Sequence, residues 1–429
     1  MQDYKLKTSL IEKEEVLTSS FFYFFKYKIM REKLLFILGF IIILSGCQNS
    51  TNNADIDPIL GSRSELLENV TNNIIIPAHE NLKDEIANLK VKAQDFTNNP
   101  SSLSFSKLRN AYVQTYISWQ SVEMFSIGKA EEIDYVKSMN TYPCSPVRIN
   151  SNLESQSYDL NQSNYPSWTA QGLPTLDYML FGLDLDSNLI LDYYIGIDGI
   201  KYLDYLNNVI TQMETNTNLV IEYWQTNKDN FISSDGNTAV SSLNILTNDF
   251  IYYYEKGLRA NKIGIPCGKW NGFQIYEIGV EAYYKADISK TLALVSLNAC
   301  KDFFIGKGIN SGVSGFSYAD LLSENGDDNL SIALINALNQ AEIVISSLGD
   351  NFRTQLLEEN LSMLDAYDAL QAVVPLLKVQ MLSALTITVD YEDSEGQFCD
   401  RGHSYSPAIY YKNEVQKKLI NSLAPKTSK

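Results

Sequence analysis

The chain has 429 residues and a formal net charge of −17, with 51 acidic residues against 34 basic ones. An acidic surface of this kind repels polyanions, so nucleic acid is excluded as a partner. Only two histidines are present, and neither an HExxH nor a GxSxG motif accompanies them, which excludes the common zinc-peptidase and serine-hydrolase arrangements.

The N-terminal stretch "MREKLLFILGFIIILSGC", residues 30–47, has two basic residues, an apolar run and a small-residue end. This order is typical of a secretory signal peptide, and the run is shorter than the roughly 20 residues that a membrane-spanning helix needs. Its last four residues resemble the bacterial lipobox, which implies that Cys47 is acylated. We therefore expect a signal-peptide region over 1–46, starting at Met30. The alternatives are a retained membrane helix or a longer basic region that includes the residues before Met30.

The residues after the lipobox indicate where the protein resides. Residues 47–63 are polar and predict a flexible lipoprotein tether that joins the membrane through the lipid on Cys47. Gln48, rather than Asp, follows the cysteine, which favours the outer membrane over retention at the inner membrane. Without the seven basic and five acidic residues of 1–46, 383 residues with a net charge of −19 remain. This length suffices for one large or two medium helical domains. Four further cysteines allow three disulfide pairings, with no CxxC among them: Cys144, Cys267, Cys300 and Cys399.

Apolar residues recur at helical spacing along most of the remaining chain. Proline predicts a kink in the first and the last of these segments, at Pro77 and Pro375. The run "LTITVDYED" is the one β-like stretch, with the end of the last helix as the alternative, and 131–167 has a loop-like composition. We predict an all-α protein of two helical bundles, over 64–190 and 191–429. The predicted helices cover 64–96, 106–125, 173–183, 197–224, 238–259, 288–304, 332–348 and 361–385.

Four stretches, taken in order, resemble the imelysin-like family of exported, often lipid-anchored and iron-regulated proteins, which includes insulin-cleaving metallopeptidase-like members. The resemblance spans about residues 70–390 and implies the imelysin-like fold of two helical bundles. It also implies an association with iron. The second stretch matches the family through Trp119, Glu123, Asn140 and Pro143. The stretches are "NIIIPAHENLKDEI", "YISWQSVEMFSIG" with "MNTYP", "GLPTLDYMLFG", and "RANKIGIPCG" with "YEIGVEAYYKADISKTLALVSLNAC".

The family's GxHxxE motif is altered in this chain. Its first position is Gly172, but Pro174 stands at the histidine position and Asp177 at the glutamate position. Proline has no metal-binding side chain, and aspartate sets its carboxylate back by one methylene. We expect Asp177 to bind a cation or a polar ligand where the two bundles meet. The alternative is a core carboxylate held by backbone amides or by Arg148 or Arg259.

Two more carboxylates are candidate metal ligands beside Asp177. Glu123 is selected by the family pattern alone, since an isolated glutamate on a helix is ordinarily solvated or salt-bridged. Glu281 lies one helical turn from Glu277, so the two would share a face if the segment is helical. Such a pair could chelate a hard cation, with mutual repulsion on a wet surface as the alternative. The cofactor implied is iron or another divalent cation.

The remaining candidates have ordinary explanations. His79 is expected to pack or to form a hydrogen bond after Pro77, and His403 to lie in a polar loop. The acidic run at 390–396 has alternate oxygen ligands but lacks the full calcium-loop spacing.

These observations lead to one hypothesis and two alternatives. The protein is predicted to be a cell-envelope imelysin-like lipoprotein, a non-catalytic binding or accessory component of iron uptake, with an outer-membrane transporter as a candidate partner. The alternatives are a metallopeptidase of the imelysin type and a glycan-binding or scaffold lipoprotein of an outer-membrane transporter. The last of these would be favoured by exposure of Trp168 or Trp270 on a concave surface.

Overall fold

Helices make up nearly all the regular structure of this chain. The computed structural model describes residues 60–270, 272–309 and 312–389. The first elements are α1 (Leu60–Asn69), the π-helix π1 (Val70–Ile75), α2 (Ile76–Asn98), α3 (Ser102–Trp119), α4 (Lys129–Glu132), α5 (Tyr135–Asn140), α6 (Pro146–Ser155), α7 (Tyr165–Trp168), α8 (Gly172–Phe181), α9 (Ile190–Ile195) and α10 (Gly199–Ser233).

The second half is helical as well. It comprises α11 (Ser242–Tyr252), π2 (Tyr253–Gly264), the 3₁₀ turns Glu277–Gly279 and Ala286–Ile288, α12 (Ser289–Phe304), α13 (Tyr318–Glu324), α14 (Asp328–Ser346), α15 (Phe352–Glu358), α16 (Asn360–Pro375), π3 (Leu376–Met381) and α17 (Leu382–Ala384). The described residues contain no strand, and an isolated β-bridge joins Lys307 to Ser314. The all-α prediction is confirmed.

The predicted kink at Pro77 takes the form of a widened helical turn. Proline lacks an N–H and its ring crowds the carbonyl four residues earlier, so the α-helical ladder cannot pass through it. The chain forms π1 just before Pro77, which then lies in the first turn of α2. The carbonyl of Asn73, four residues before the proline, accepts a hydrogen bond from the Ile309 N–H at 3.3 Å instead. Pro375 likewise ends α16 and is followed by π3.

The long helices pack through the apolar faces that their periodicity predicts. α2 packs against α3 and along α10, and in the second half α14 packs against α16 and α16 against π2. α10 follows the predicted boundary at residue 190 but packs on α2 and α8, which precede that boundary. The division into two bundles at that residue stays a prediction.

One local prediction from the sequence is wrong, and one open alternative is decided. The segment 131–167 contains helical turns instead of a continuous loop. They are short, but capping side chains stabilise them: Ser145 accepts a hydrogen bond from the Arg148 N–H and Asn164 accepts one from the Ser167 N–H. The β-like run forms no strand over its described part, which ends at residue 389.

The expectations about disulfides and the membrane anchor concern residues that lie only partly within the described ranges. Cys144, Cys267 and Cys300 are buried free thiols, so no disulfide joins them. Within the described ranges, no helix has both the length and the apolarity that crossing a bilayer requires. The signal-peptide region, Cys47 and most of the tether lie outside the described residues, as do the acidic run at 390–396, Cys399 and His403.

Candidate functional site

A buried lysine lies between two of the predicted metal ligands. Lys262 Nζ is 2.9 Å from Glu123 Oε2 and 2.8 Å from each carboxylate oxygen of Glu281. The side-chain carbonyl oxygen of Gln120 accepts a fourth contact from the same nitrogen at 2.7 Å. Lys262 is 1% exposed, so its charge is held without bulk water.

Ends of helices place these side chains together. α3 ends at Trp119, six residues before the end of the predicted helix, and the turn that follows carries Gln120 and Glu123. Glu281 lies in a turn after a 3₁₀ segment, while Lys262 projects from π2. Because residues 277–281 do not continue as a helix, the expected shared face of Glu277 and Glu281 is not formed. Glu277 instead pairs with Arg353, with 2.7 Å between Glu277 Oε1 and Arg353 Nη2.

A second set of hydrogen bonds orients the carboxylates. Asn140 Nδ2 donates to Glu123 Oε1 at 2.7 Å and to Glu281 Oε1 at 2.8 Å. The Tyr253 hydroxyl donates to Glu123 Oε2 at 3.0 Å. The Tyr116 hydroxyl in turn donates to Asn140 Oδ1 at 2.7 Å, which fixes the asparagine. Asn140 therefore acts as a bridge between the two glutamates.

The charges in this cluster depend on one another. Burial disfavours the ionised form of Glu123, but the Lys262 ammonium outweighs that effect and holds the pKa of Glu123 below its usual value. Burial raises the pKa of Glu281, and the same ammonium offsets this only in part. Although burial alone would lower the pKa of Lys262, its two carboxylate partners raise it. Lys262 therefore stays protonated.

This arrangement does not fit a metal ion. An ammonium already occupies the space between the carboxylates that a bridging cation would need. Among the described residues, no group of three or more His, Cys, Asp and Glu side chains lies close enough together to hold a metal. Metal binding by Glu123, Glu281 and Asp177 stays a prediction, and the geometry of the two glutamates opposes it.

Asp177, the third predicted metal ligand, is held by backbone amides. The Tyr284 N–H donates to Asp177 Oδ2 at 2.7 Å, and the Lys285 N–H donates to Asp177 Oδ1 at 3.0 Å. The side chain is 1% exposed. Burial raises the pKa of Asp177 to about 7, although both amides favour the ionised form. Of the alternatives, backbone amides and not Arg148 or Arg259 hold the carboxylate; Arg259 packs over the rings of Trp270 and Tyr367.

The other motif residues shape the start of α8. Gly172 has a φ of +69°, and a Cβ there would lie 2.3 Å from the Met139 carbonyl oxygen and 2.4 Å from that of Ser138. Glycine is therefore required by the close approach of α8 to the backbone of α5. Pro174 lies in the first turn of α8, where proline is well tolerated because its missing N–H would have no helical partner.

A hollow of about 250 Å³ opens beside Asp177, and we call it the Asp177 pocket. Its walls are mainly aromatic rings and prolines. Arg353 braces one wall, since its guanidinium lies 3.9 Å from the centre of the Tyr283 ring and donates to the Tyr283 carbonyl oxygen at 3.1 Å. The lining residues include Tyr142, Pro143, Pro146, Pro174, Tyr283 and Tyr284. A carboxyl group beside aromatic rings, of which Tyr283 and Tyr284 meet edge to face, is suited to binding a small molecule.

The remaining candidates are placed away from the pocket. His79 is buried, as expected, and its Nδ1 lies 2.8 Å from the Ile75 carbonyl oxygen. Trp119 is buried against the edge of Tyr135. Trp168 is buried too and Trp270 is half-buried against Arg259, so neither presents an open stacking face for a glycan.

Sequence reasoning missed the residue at the centre of the buried cluster. Lys262 lies inside the quoted stretch "RANKIGIPCG", but its partners are 139 and 19 residues away along the chain. One signal could have identified Lys262 as a buried residue: it is followed directly by the apolar run Ile263, Gly264 and Ile265. Gln120, Tyr253 and Ser296 carried no signal of their own.

Comparison with known proteins gives two kinds of similarity. A family model described as Imelysin matches residues 75–380, which is more than half of the chain. An imelysin-like protein from Psychrobacter arcticus 273-4 matches with a TM-score of 0.61 at 19% identity, covering 79% of this chain and 99% of that one. An iron-regulated protein A precursor from Parabacteroides distasonis ATCC 8503 matches with a TM-score of 0.61 at 16% identity, covering 79% and 98%. No curated protein matches the sequence.

Proposed function

The chain belongs to the imelysin family, and from this premise we propose that it is a non-catalytic binding component of iron uptake, held in the cell envelope by a lipid on Cys47. The observation that carries the binding role is the Asp177 pocket. It combines a buried carboxyl group with aromatic and proline walls, and it is large enough for a small organic molecule.

The chemistry of the pocket supports binding without catalysis. Pro174 lines the pocket where the family motif has a histidine, and the proline side chain can neither accept a proton nor ligate a metal. Burial raises the pKa of the Cys144 thiol far above its usual value, which keeps this lining residue protonated and unreactive. His79, the histidine of the described residues, is buried against Phe125 and Tyr135.

The iron association is supported by family membership and by the likeness to the Parabacteroides iron-regulated protein A precursor. In this proposal the ligand enters the Asp177 pocket and does not displace Lys262. The carboxyl group of Asp177 can then donate or accept a hydrogen bond with the ligand, because its pKa of about 7 lies close to neutral pH. An outer-membrane transporter is the partner that the lipid anchor would bring within reach.

A growth experiment tests the proposal with a matched pair of variants. Ile278 and Ile275 are 40% and 41% exposed, but only Ile278 lines the pocket. In a strain that lacks the gene, growth under iron limitation should be restored by the wild type and by Ile275→Trp. Ile278→Trp should fail because the larger ring covers the pocket.

Two results would contradict the proposal. One is normal growth of the deletion strain under iron limitation, and the other is full restoration of growth by Ile278→Trp. A casein digestion with purified protein completes the test: cleavage that a chelator abolishes would replace the binding role with the metallopeptidase alternative.

A further inference from the structure

The four oxygen atoms around Lys262 Nζ have the composition of a cation site. They are Oε1 and Oε2 of Glu281, Oε2 of Glu123 and Oε1 of Gln120, all at 2.7–2.9 Å from the nitrogen. We call these three residues the Lys262 cradle. Carboxylate and amide oxygens are the ligands that hard divalent cations such as Ca²⁺ prefer.

The cradle is built independently of the lysine. Asn140 links both glutamates, and the Tyr253 hydroxyl fixes Glu123. Gln120 is held at both ends of its amide: its nitrogen donates to the Tyr116 carbonyl oxygen at 3.2 Å, and its oxygen accepts from the Ser296 hydroxyl at 2.7 Å. None of these contacts involves Lys262, so we expect them to keep the oxygens directed at one point when the ammonium is removed.

The charge inside the cradle is incompletely balanced. Two buried carboxylates, those of Glu123 and Glu281, face the single ammonium of Lys262. A divalent cation would balance both carboxylates at once, whereas a monovalent ion would only reproduce the charge of the lysine. Shortening the lysine would also leave room for the water molecules that complete the six to eight oxygen ligands of Ca²⁺.

We propose that the Lys262 cradle is a divalent-cation site in which this chain supplies its own cation, the Lys262 ammonium. The wild-type cradle therefore binds no metal ion, and removing the ammonium opens it to Ca²⁺. The side chains of this cluster are not among those that line the Asp177 pocket, so the inference stands whether or not the proposed function is correct.

The test is thermal unfolding of wild type and three variants in chelator and in millimolar Ca²⁺. In chelator, Lys262→Ala should unfold at a lower temperature than wild type, because two buried carboxylates lose their counter-ion. Ca²⁺ should raise the midpoint of this variant by about 2 °C or more, and isothermal titration should show one bound ion. The wild-type midpoint should not move.

Lys262→Met is the matched control. It removes the same charge but fills the space with an unbranched side chain, so it should lose stability without a response to Ca²⁺. The double variant Lys262→Ala, Glu123→Gln removes one charged ligand and should lose most of the Ca²⁺ response. The proposal is overturned if Lys262→Ala fails to respond to Ca²⁺ or fails to fold even in its presence. It is also overturned if wild type responds equally.

Discussion

Asp177 and Tyr284 are joined across 107 residues of sequence by a 2.7 Å hydrogen bond from the Tyr284 backbone N–H to the Asp177 carboxylate. The contact ties α8 to the segment that leads into α12. Both residues also line the Asp177 pocket, so the bond that secures the fold also forms part of the pocket wall.

Replacing Asp177 with asparagine should change how stability depends on pH. The pKa is about 7 in the folded protein against an ordinary value of 3.8, so the folded state holds this proton more tightly. As pH rises from 4 to 7, the unfolded chain ionises first and the wild type loses stability, by up to about 4 kcal/mol. Asp177→Asn should remove this slope and cost about 1–3 kcal/mol at low pH, because its amide nitrogen meets a backbone N–H. Urea unfolding at several pH values checks this.

The exposed Asp186 provides the control for that series. Asp186→Asn should leave the wild-type slope unchanged. A slope that persists in Asp177→Asn would assign the titration to another group.

His79 should contribute a pH dependence of the opposite sign. Burial lowers the pKa of His79 from 6.5 to about 4. Between these pH values the histidine is protonated in the unfolded chain but neutral in the folded protein. The wild type therefore loses stability as pH falls from 6.5 to 4, by up to about 3 kcal/mol. In His79→Leu this loss of stability between pH 6.5 and 4 should vanish. The difference between the free energies of unfolding of wild type and variant, plotted against pH, measures it directly. Parallel curves would exclude His79 as the source.

Gly172→Ala should be strongly destabilising. The residue has a left-handed φ of +69° and its Cβ would meet two backbone oxygens, which cannot move as a side chain could. Strain and overlap together should cost at least about 2 kcal/mol. Gly236→Ala is the control, since nothing lies within 4 Å of a Cβ at that position. Chemical denaturation of both variants compares them, and equal stabilities would contradict this account of the motif glycine.

Cys47→Ala should release the protein from the membrane. The prediction follows from the lipobox-like Leu44-Ser45-Gly46-Cys47, since acylation requires the cysteine thiol. Fractionation of cells that produce each form should place the wild type with the outer membrane and the variant with soluble envelope proteins. Labelling with a fatty acid should mark the wild type alone. An unlabelled wild type would exclude the anchor.

The sequence pattern was sufficient to predict the helices that are stabilised by a long apolar face. Long amphipathic helices such as α2 and α10 were found because apolar residues recur over many turns. The short helices α6 and α7 were missed because their stability comes from single capping residues, Ser145 and Asn164, and not from a repeated pattern.

The candidate site was predictable only in part. Asp177 and Glu123 were identified because a family pattern marks their positions. Lys262 was not, because the property that matters is the convergence of partners far apart in sequence, and one-dimensional spacing does not encode it. Asp177 shows the same limit: its partners are backbone amides, which every residue carries.

The bond between Lys262 and Glu123 bears on how the molecule comes apart. Glu123 follows α3 in the first half of the chain, and Lys262 belongs to π2 in the second half. If either half were isolated, its charged residue would lose the partner that neutralises it. Each half therefore supplies the partner of a charge buried in the other. We expect a single cooperative transition on heating, with both sets of helices melting together.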